Sequence, residues 1–196
     1  EKARLYYEAN NEALNFMRKL IISNHIDCSY EEETAYVYTK SKEYEQKLMK
    51  EFKAYGELGI KDYEYLDKVS LPIDIICALA LKNQFQFHPL KYLLFLIKEI
   101  ISLGCTIYED TQALDLIEGE QPKVVTADNH EITAQQIIIA THFPCFDKKG
   151  LYFARMYPDR SYVLAIKPIK AFSSGMYISA EDPSRSIRSV LDRKST

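Results

Sequence analysis

The run Ile137-Ile138-Ile139-Ala140-Thr141 constrains the chain more than any other stretch. It is apolar on both alternating faces, so a strand here needs cover on both sides, as in a parallel sheet flanked by helices. It stops at His142 and Pro144, and in open α/β sheets ligands lie beyond the carboxyl ends of such strands. The preceding residues follow the other pattern. Residues 123–128 alternate, with Val124, Thr126 and Asp128 on one face and Val125 and Ala127 on the other. Asn129-His130 tolerates positive φ and is expected as a two-residue hairpin turn, with 131–134 returning as a second strand. Upstream, 111–117 is expected as the first strand of this meander, and 105–108 as a short buried strand. The change from alternating to continuous patterning predicts an antiparallel meander beside two adjacent parallel strands, 105–108 and 136–140.

The rest of the chain supplies helices and a second set of strands. Ala9, Ala13, Phe16, Met17, Leu20 and Ile21 recur at helical spacing and predict a helix over 3–22. Residues 34–39 are β-branched and aromatic and predict a strand. Leu48, Phe52, Tyr55 and Leu58 mark one face of a helix over 41–58, punctuated by Gly56 and Gly59. Strands are expected at 63–66 and 73–81, the second readable as a short helix too. After a polar-aromatic passage, Pro89 suits the first turn of a helix over 90–102, and Gly104 suits its end. Beyond Pro144 come a loop over 146–153 and strands at 161–167 and 176–179. No linker or repeat marks a boundary, so the expected organisation is interleaved, with 34–39 and 161–167 in one sheet.

Composition excludes several function classes. The chain is 47% hydrophobic and 27% charged, which is globular rather than disordered. A net charge of −3 gives no general basic field for nucleic acid. No apolar run reaches the roughly 18 residues of a membrane span. Cys28, Cys77, Cys105 and Cys145 are widely spaced, without a zinc-ligand pattern. They are expected as reduced thiols of a cytoplasmic protein, with Cys77 and Cys105 buried. The chain opens without Met and ends on the polar residues 192–196. It is read as an internal piece of a longer protein.

The order of elements carries a resemblance. Residues 84–94, then LGCTIYEDTQALDLI and VTADNHEITAQQIIIATHFP, resemble FAD-dependent oxidoreductases of the D-amino-acid oxidase/glycine oxidase superfamily. The likeness is strongest over 84–144, and GLYFARMYPDRSYVLAIKP resembles a bacterial subset. His142 stands where that family commonly has Gly. The family's GxGxxG turn, which holds the FAD pyrophosphate at a helix N-terminus, is absent. The six glycines, at 56, 59, 104, 119, 150 and 175, include no GxG and so no GxGxxG set.

The resemblance implies a mixed α/β fold: part of a FAD-binding Rossmann-like domain with a β-meander, interleaved with a mixed-sheet substrate domain. Residues 1–30 would link to the cofactor domain. Residues 31–83 and 145–196 would form the substrate domain, and 84–144 the FAD-binding segment. It implies a backbone contact from Ala113 to adenine, and Ala140, Thr141 and His142 beside the flavin. It offers Arg155, Tyr157 and Tyr177 for the substrate, since a guanidinium fork and a phenol suit a carboxylate. The implied activity is oxidation of the C–N bond of an amine or amino acid, with FAD carrying the chemistry and no catalytic side chain assigned. No metal is implied. Each of these residues also has a plainer role: packing for Ala113 and Tyr177, strand termination for Ala140 and Thr141, solvated surface for His142 and Arg155. His88 fits a helix cap. The competing class is a non-catalytic α+β module that binds a partner or forms a homodimer through exposed strand edges.

Overall fold

The computed structural model describes residues 1–147, 150–167, 169 and 174–189. The polar tail at 192–196 and Lys148-Lys149 of the 146–153 loop lie outside them. The chain forms two compact units. One is Glu1–Leu103 with the described residues of Pro168–Thr196, and the other is Gly104–Lys167.

The first unit contains helices α1 (Lys2–Ser23), α2 (Lys42–Leu58) and α3 (Pro89–Ser102). Its strands are β1 (Glu31–Thr39), β2 (Tyr63–Leu66), β3 (Cys77–Gln86), β7 (Met176–Ser179) and β8 (Ser186–Arg188). They make one mixed sheet in the order β2-β3-β1-β7-β8. The helices start and stop where local chemistry directs. Ser41 Oγ accepts from the Glu43 amide at 3.3 Å, capping α2. Gly59 closes it at φ 73°, a conformation that costs glycine little. His88 Nδ1 accepts from the Lys91 amide at 3.4 Å, and Pro89 opens α3.

The sheet is covered on both faces. Val37, Cys77 and Leu79 pack with Leu48, Phe52 and Tyr55 of α2. The opposite face carries Tyr38, Ala78 and Tyr177, covered by Val69, Leu71, Ile73 and Ile75. A third cluster joins α1 to α3 through Ile21, Ile26, Cys28 and Tyr92. Burying a side chain such as Leu48 contributes about 1.5–3 kcal/mol.

Two strand expectations are corrected here. The run 73–81 is not one strand: β3 begins at Cys77 and continues to Gln86, while Ile73 and Ile75 pack from an irregular segment. Gln84 and Gln86 hide the strand's polar end from any hydrophobic pattern, because they pair with Glu33 and Glu31 rather than with a core. Residues 34–39 do not share a sheet with 161–167. β1 pairs in parallel with β7, from Ala35↔Met176 to Tyr38↔Ser179. Residues 161–167 lie outside any strand and are exposed.

The second unit holds the antiparallel meander β4 (Ala113–Ile117), β5 (Lys123–Thr126) and β6 (Glu131–Thr133). Its hairpin is wider than a two-residue turn. β5 stops at Thr126, and the Thr126 amide bonds the His130 carbonyl at 2.9 Å. Asn129 takes the positive φ, 62°. The His130 amide donates to Thr126 Oγ1 at 3.1 Å, and that hydroxyl also meets Asp128.

The two expected parallel strands do not form. Residues 105–108 and 136–140 are irregular, and Ile138 is 87% exposed. A buried parallel strand needs a ladder neighbour and a covering layer, and neither segment has a strand partner among the described residues. For the same reason Cys105 is exposed rather than buried. Cys28 and Cys77 are the buried thiols, and all four cysteines are free.

Candidate cofactor and substrate site

In the second unit the positions expected to meet a cofactor are open. Ala113 starts β4 opposite Thr126, where the β4–β5 register shifts before Asp115. The Ala127 amide closes the ladder on the Gln112 carbonyl at 2.9 Å. Such a shift disturbs the regular ladder and re-aims the strand, so this exposed backbone is suited to a planar polar ligand edge. Ala140, Thr141 and His142 are exposed and outside regular structure. Thr141 Oγ1 lies 3.9 Å from Cys145 Sγ.

Arg155 ends a short 3-10 turn, Tyr152–Arg155. The Phe153 amide in that turn donates to Asp147 Oδ2 at 3.0 Å. Tyr157, two residues further on, is 88% exposed. Arg155 and Tyr157 therefore share one exposed loop.

Tyr177, in the first unit, is placed differently. It is 1% exposed and stacks on Tyr36 with ring centroids 4.6 Å apart and planes 8° from parallel. Its hydroxyl lies 2.6 Å from the Ser70 hydroxyl and donates to the Ser174 carbonyl at 3.2 Å. Its polar end is engaged within the fold.

Two groups were missed in the sequence. Tyr36 is half-buried on the same face. Desolvation raises its phenol above the ordinary range, and the nearby Tyr177, Glu33 and Glu64 add to this. The alternation in Thr34–Thr39 places Tyr36 and Tyr38 on one side, which was signal enough to find it. The other group is Glu181, whose Oε1 accepts from Thr39 Oγ1 at 2.6 Å and the Lys40 amide at 2.7 Å. Its partners stand at the far end of the chain, so no local pattern could reveal it.

The residues present fit FAD in part. The shifted start of β4 and the exposed Ala140-Thr141-His142 suit a cofactor's adenine and ring edges. A pyrophosphate asks for successive backbone N–H groups at a glycine-rich helix start. Among the described residues the α-helices start after Glu1, Ser41 and His88, so none of these opens on such a turn. Among the described residues no group of three or more His, Cys, Asp or Glu is placed to hold a metal, and no helix is long and apolar enough to cross a membrane.

The chain is mixed α/β, with a five-stranded sheet in one unit and a three-stranded meander in the other. The chain is a member of the FAD dependent oxidoreductase family, whose pattern matches residues 1–193. It is 46% identical over 186 residues to YhfW of Bacillus subtilis (strain 168), provisionally named a Rieske 2Fe-2S iron-sulfur protein. That match covers 95% of this chain and 36% of YhfW. It is 21% identical over 179 residues to OrdL of Haemophilus influenzae, provisionally named an oxidoreductase, covering 86% of this chain and 41% of OrdL. The chain thus spans about two-fifths or less of the curated relatives it matches. Its fold is similar to that of glycine oxidase from Geobacillus kaustophilus, with TM-score 0.54 and 16% identity, over 71% of this chain and 38% of the other.

Proposed function

We propose that the full-length protein uses FAD to oxidise the C–N bond of an amine or amino acid. The family match over residues 1–193 carries this reading, and the likeness in fold to a glycine oxidase supports the nitrogen-bearing substrate. Bound FAD supplies the chemistry by accepting a hydride. This chain's residues then bind and orient. The Ala113 backbone meets the adenine edge, and Ala140, Thr141 and His142 line the flavin side. Arg155 and Tyr157 hold a substrate carboxylate. In this reading 84–144 serves the cofactor, 31–83 and 145–196 serve the substrate, and 1–30 links them. The compartment is the cytoplasm, in keeping with four free thiols. Pairing of two copies along an open strand edge belongs to the same reading, and sedimentation of the full-length protein decides it.

The name of YhfW favours one addition, a 2Fe-2S cluster as acceptor for electrons leaving the flavin. A Rieske centre takes two cysteines and two histidines. No such group is assembled among the described residues, so its ligands would come from other parts of the full-length protein.

The test is spectroscopic. The purified full-length protein is mixed anaerobically with a panel of glycine, D- and L-amino acids and secondary amines. We expect a flavin absorbance band that at least one member bleaches. A colourless protein would end the FAD reading. A yellow protein that no member bleaches would end the C–N reading alone.

A further inference from the structure

The sheet of the first unit is joined to α1 and α3 by a narrow ribbon. β2 pairs with β3 only over Ala78–Leu81, and β7 pairs with β1 only over Ala35–Tyr38. Beyond these, Glu31–Glu33 and Gln84–Gln86 pair with each other alone. A register shift separates the ribbon from the sheet, between Glu33 and Ala35, with Asn83 opposite at φ 58°. Bulges of this kind bend a strand pair. Both connections run through the ribbon: α1 leads into β1, and β3 leads into α3. The His88 amide ties them together on the Cys28 carbonyl at 2.6 Å.

Arg18 of α1 sits at this bend with its side chain 21% exposed. Its Nη2 donates to the Asn83 carbonyl, the bulge itself, at 2.5 Å. Its Nε donates to the Tyr30 hydroxyl at 3.2 Å and lies 3.6 Å from Glu32 Oε1. Its Nη1 donates to Asn15 Oδ1 at 2.9 Å, and its guanidinium lies 5.6 Å from the centre of the Phe85 ring. One planar fork therefore engages α1, the start of β1 and the end of β3. A lysine, with a single rotatable ammonium, cannot make all these contacts together.

We infer that Arg18 is a positioning residue that locks the 31–33/84–86 ribbon and so fixes how α1 and α3 stand against the five-stranded sheet. The consequence for catalysis rests on the proposed function. If the sheet carries substrate contacts, a loosened ribbon lets them drift, and an ångström of misplacement can cost on the order of a hundredfold in rate.

Hydrogen exchange on the full-length protein tests this. In Arg18→Met the amides of 30–33 and 84–87 are expected to exchange at least tenfold faster, while those of Val37 and Leu79 keep their wild-type rates. Arg18→Lys keeps the charge without the fork, and should show a smaller rise limited to the same residues. An equal rise across the whole sheet would make Arg18 a general stabiliser and overturn the inference, as would unchanged exchange in the ribbon. If Arg18→Met does not fold, Arg18→Lys decides alone by the same criterion. A colourless wild-type protein would remove the functional reading and leave the exchange result standing.

Discussion

The Glu181 carboxylate ties together distant parts of the chain, taking the Thr39 hydroxyl and the Lys40 amide at the carboxyl end of β1. Beside it the Ala180 amide bonds the Tyr38 carbonyl at 2.8 Å. Burial alone would push this carboxyl up, but the hydrogen bonds from Thr39 and the Lys40 amide outweigh it and hold the group below its ordinary 4.5. A carboxyl depressed by folding adds stability above its unfolded value, and loses it as pH falls through the lower folded value. Glu181→Gln is expected to cost about 1 kcal/mol at pH 7, the difference between charged and neutral hydrogen bonds. Melting temperatures of the two proteins should converge as pH falls below about 4.5. A gap unchanged at pH 3.5 would mean that the charge contributes nothing. At this scale the sequence was readable where a residue's partner is close by. His88 could be read as a cap because Lys91 is one helical turn away. The packing of Tyr177 was not readable, because its companions Ser70 and Tyr36 are distant in the chain.

Helices were legible because each carries its own instructions. The expected 3–22, 41–58 and 90–102 fall within a residue or two of α1, α2 and α3, since period and caps are local. Ser41→Ala removes the cap on the Glu43 amide and should destabilise the protein by about 1 kcal/mol, measured by denaturant midpoint. Gly59→Ala should cost a similar amount, since φ 73° is unfavourable for a residue with a Cβ. No loss on either change would show that α2 is held by Leu48 and Phe52 alone. Strands were less legible because a strand is completed by its neighbour. Residues 176–179 were recognised as a strand, yet the sheet companion of 34–39 was taken to be 161–167 when it is β7. The pattern marks a sheet face and leaves the choice of neighbour open. The continuous run at 137–141 shows the same limit more sharply. Its composition calls for two covering layers, and composition cannot supply them.

On the scale of the whole molecule, α3 presents a broad exposed apolar surface. α3 buries Tyr92 and packs Phe95 and Leu96, yet leaves Leu90, Leu93, Leu94, Ile97 and Ile101 exposed. A helix apolar on every side is normally buried throughout. The chain spans 36% of YhfW and 41% of OrdL, so much of the architecture of such relatives lies outside the matched region. This bears directly on FAD affinity. The cofactor's negative charge is concentrated on its pyrophosphate, whose expected holder is a run of backbone N–H groups at a glycine-rich helix start. Residues 1–196 contain no GxGxxG set for that turn. The Ala113 backbone and the Ala140-Thr141 segment can supply one or two hydrogen bonds, each about 0.5–1.5 kcal/mol net. Immobilising a large flexible dinucleotide costs several kcal/mol. We therefore expect that titrating FAD into the 196-residue chain gives no saturable change in flavin fluorescence at micromolar concentrations, whereas the full-length protein retains flavin through purification. Saturable micromolar binding by the 196 residues would show that a glycine-rich turn is dispensable here, and that the meander holds the cofactor by contacts other than those assigned to it.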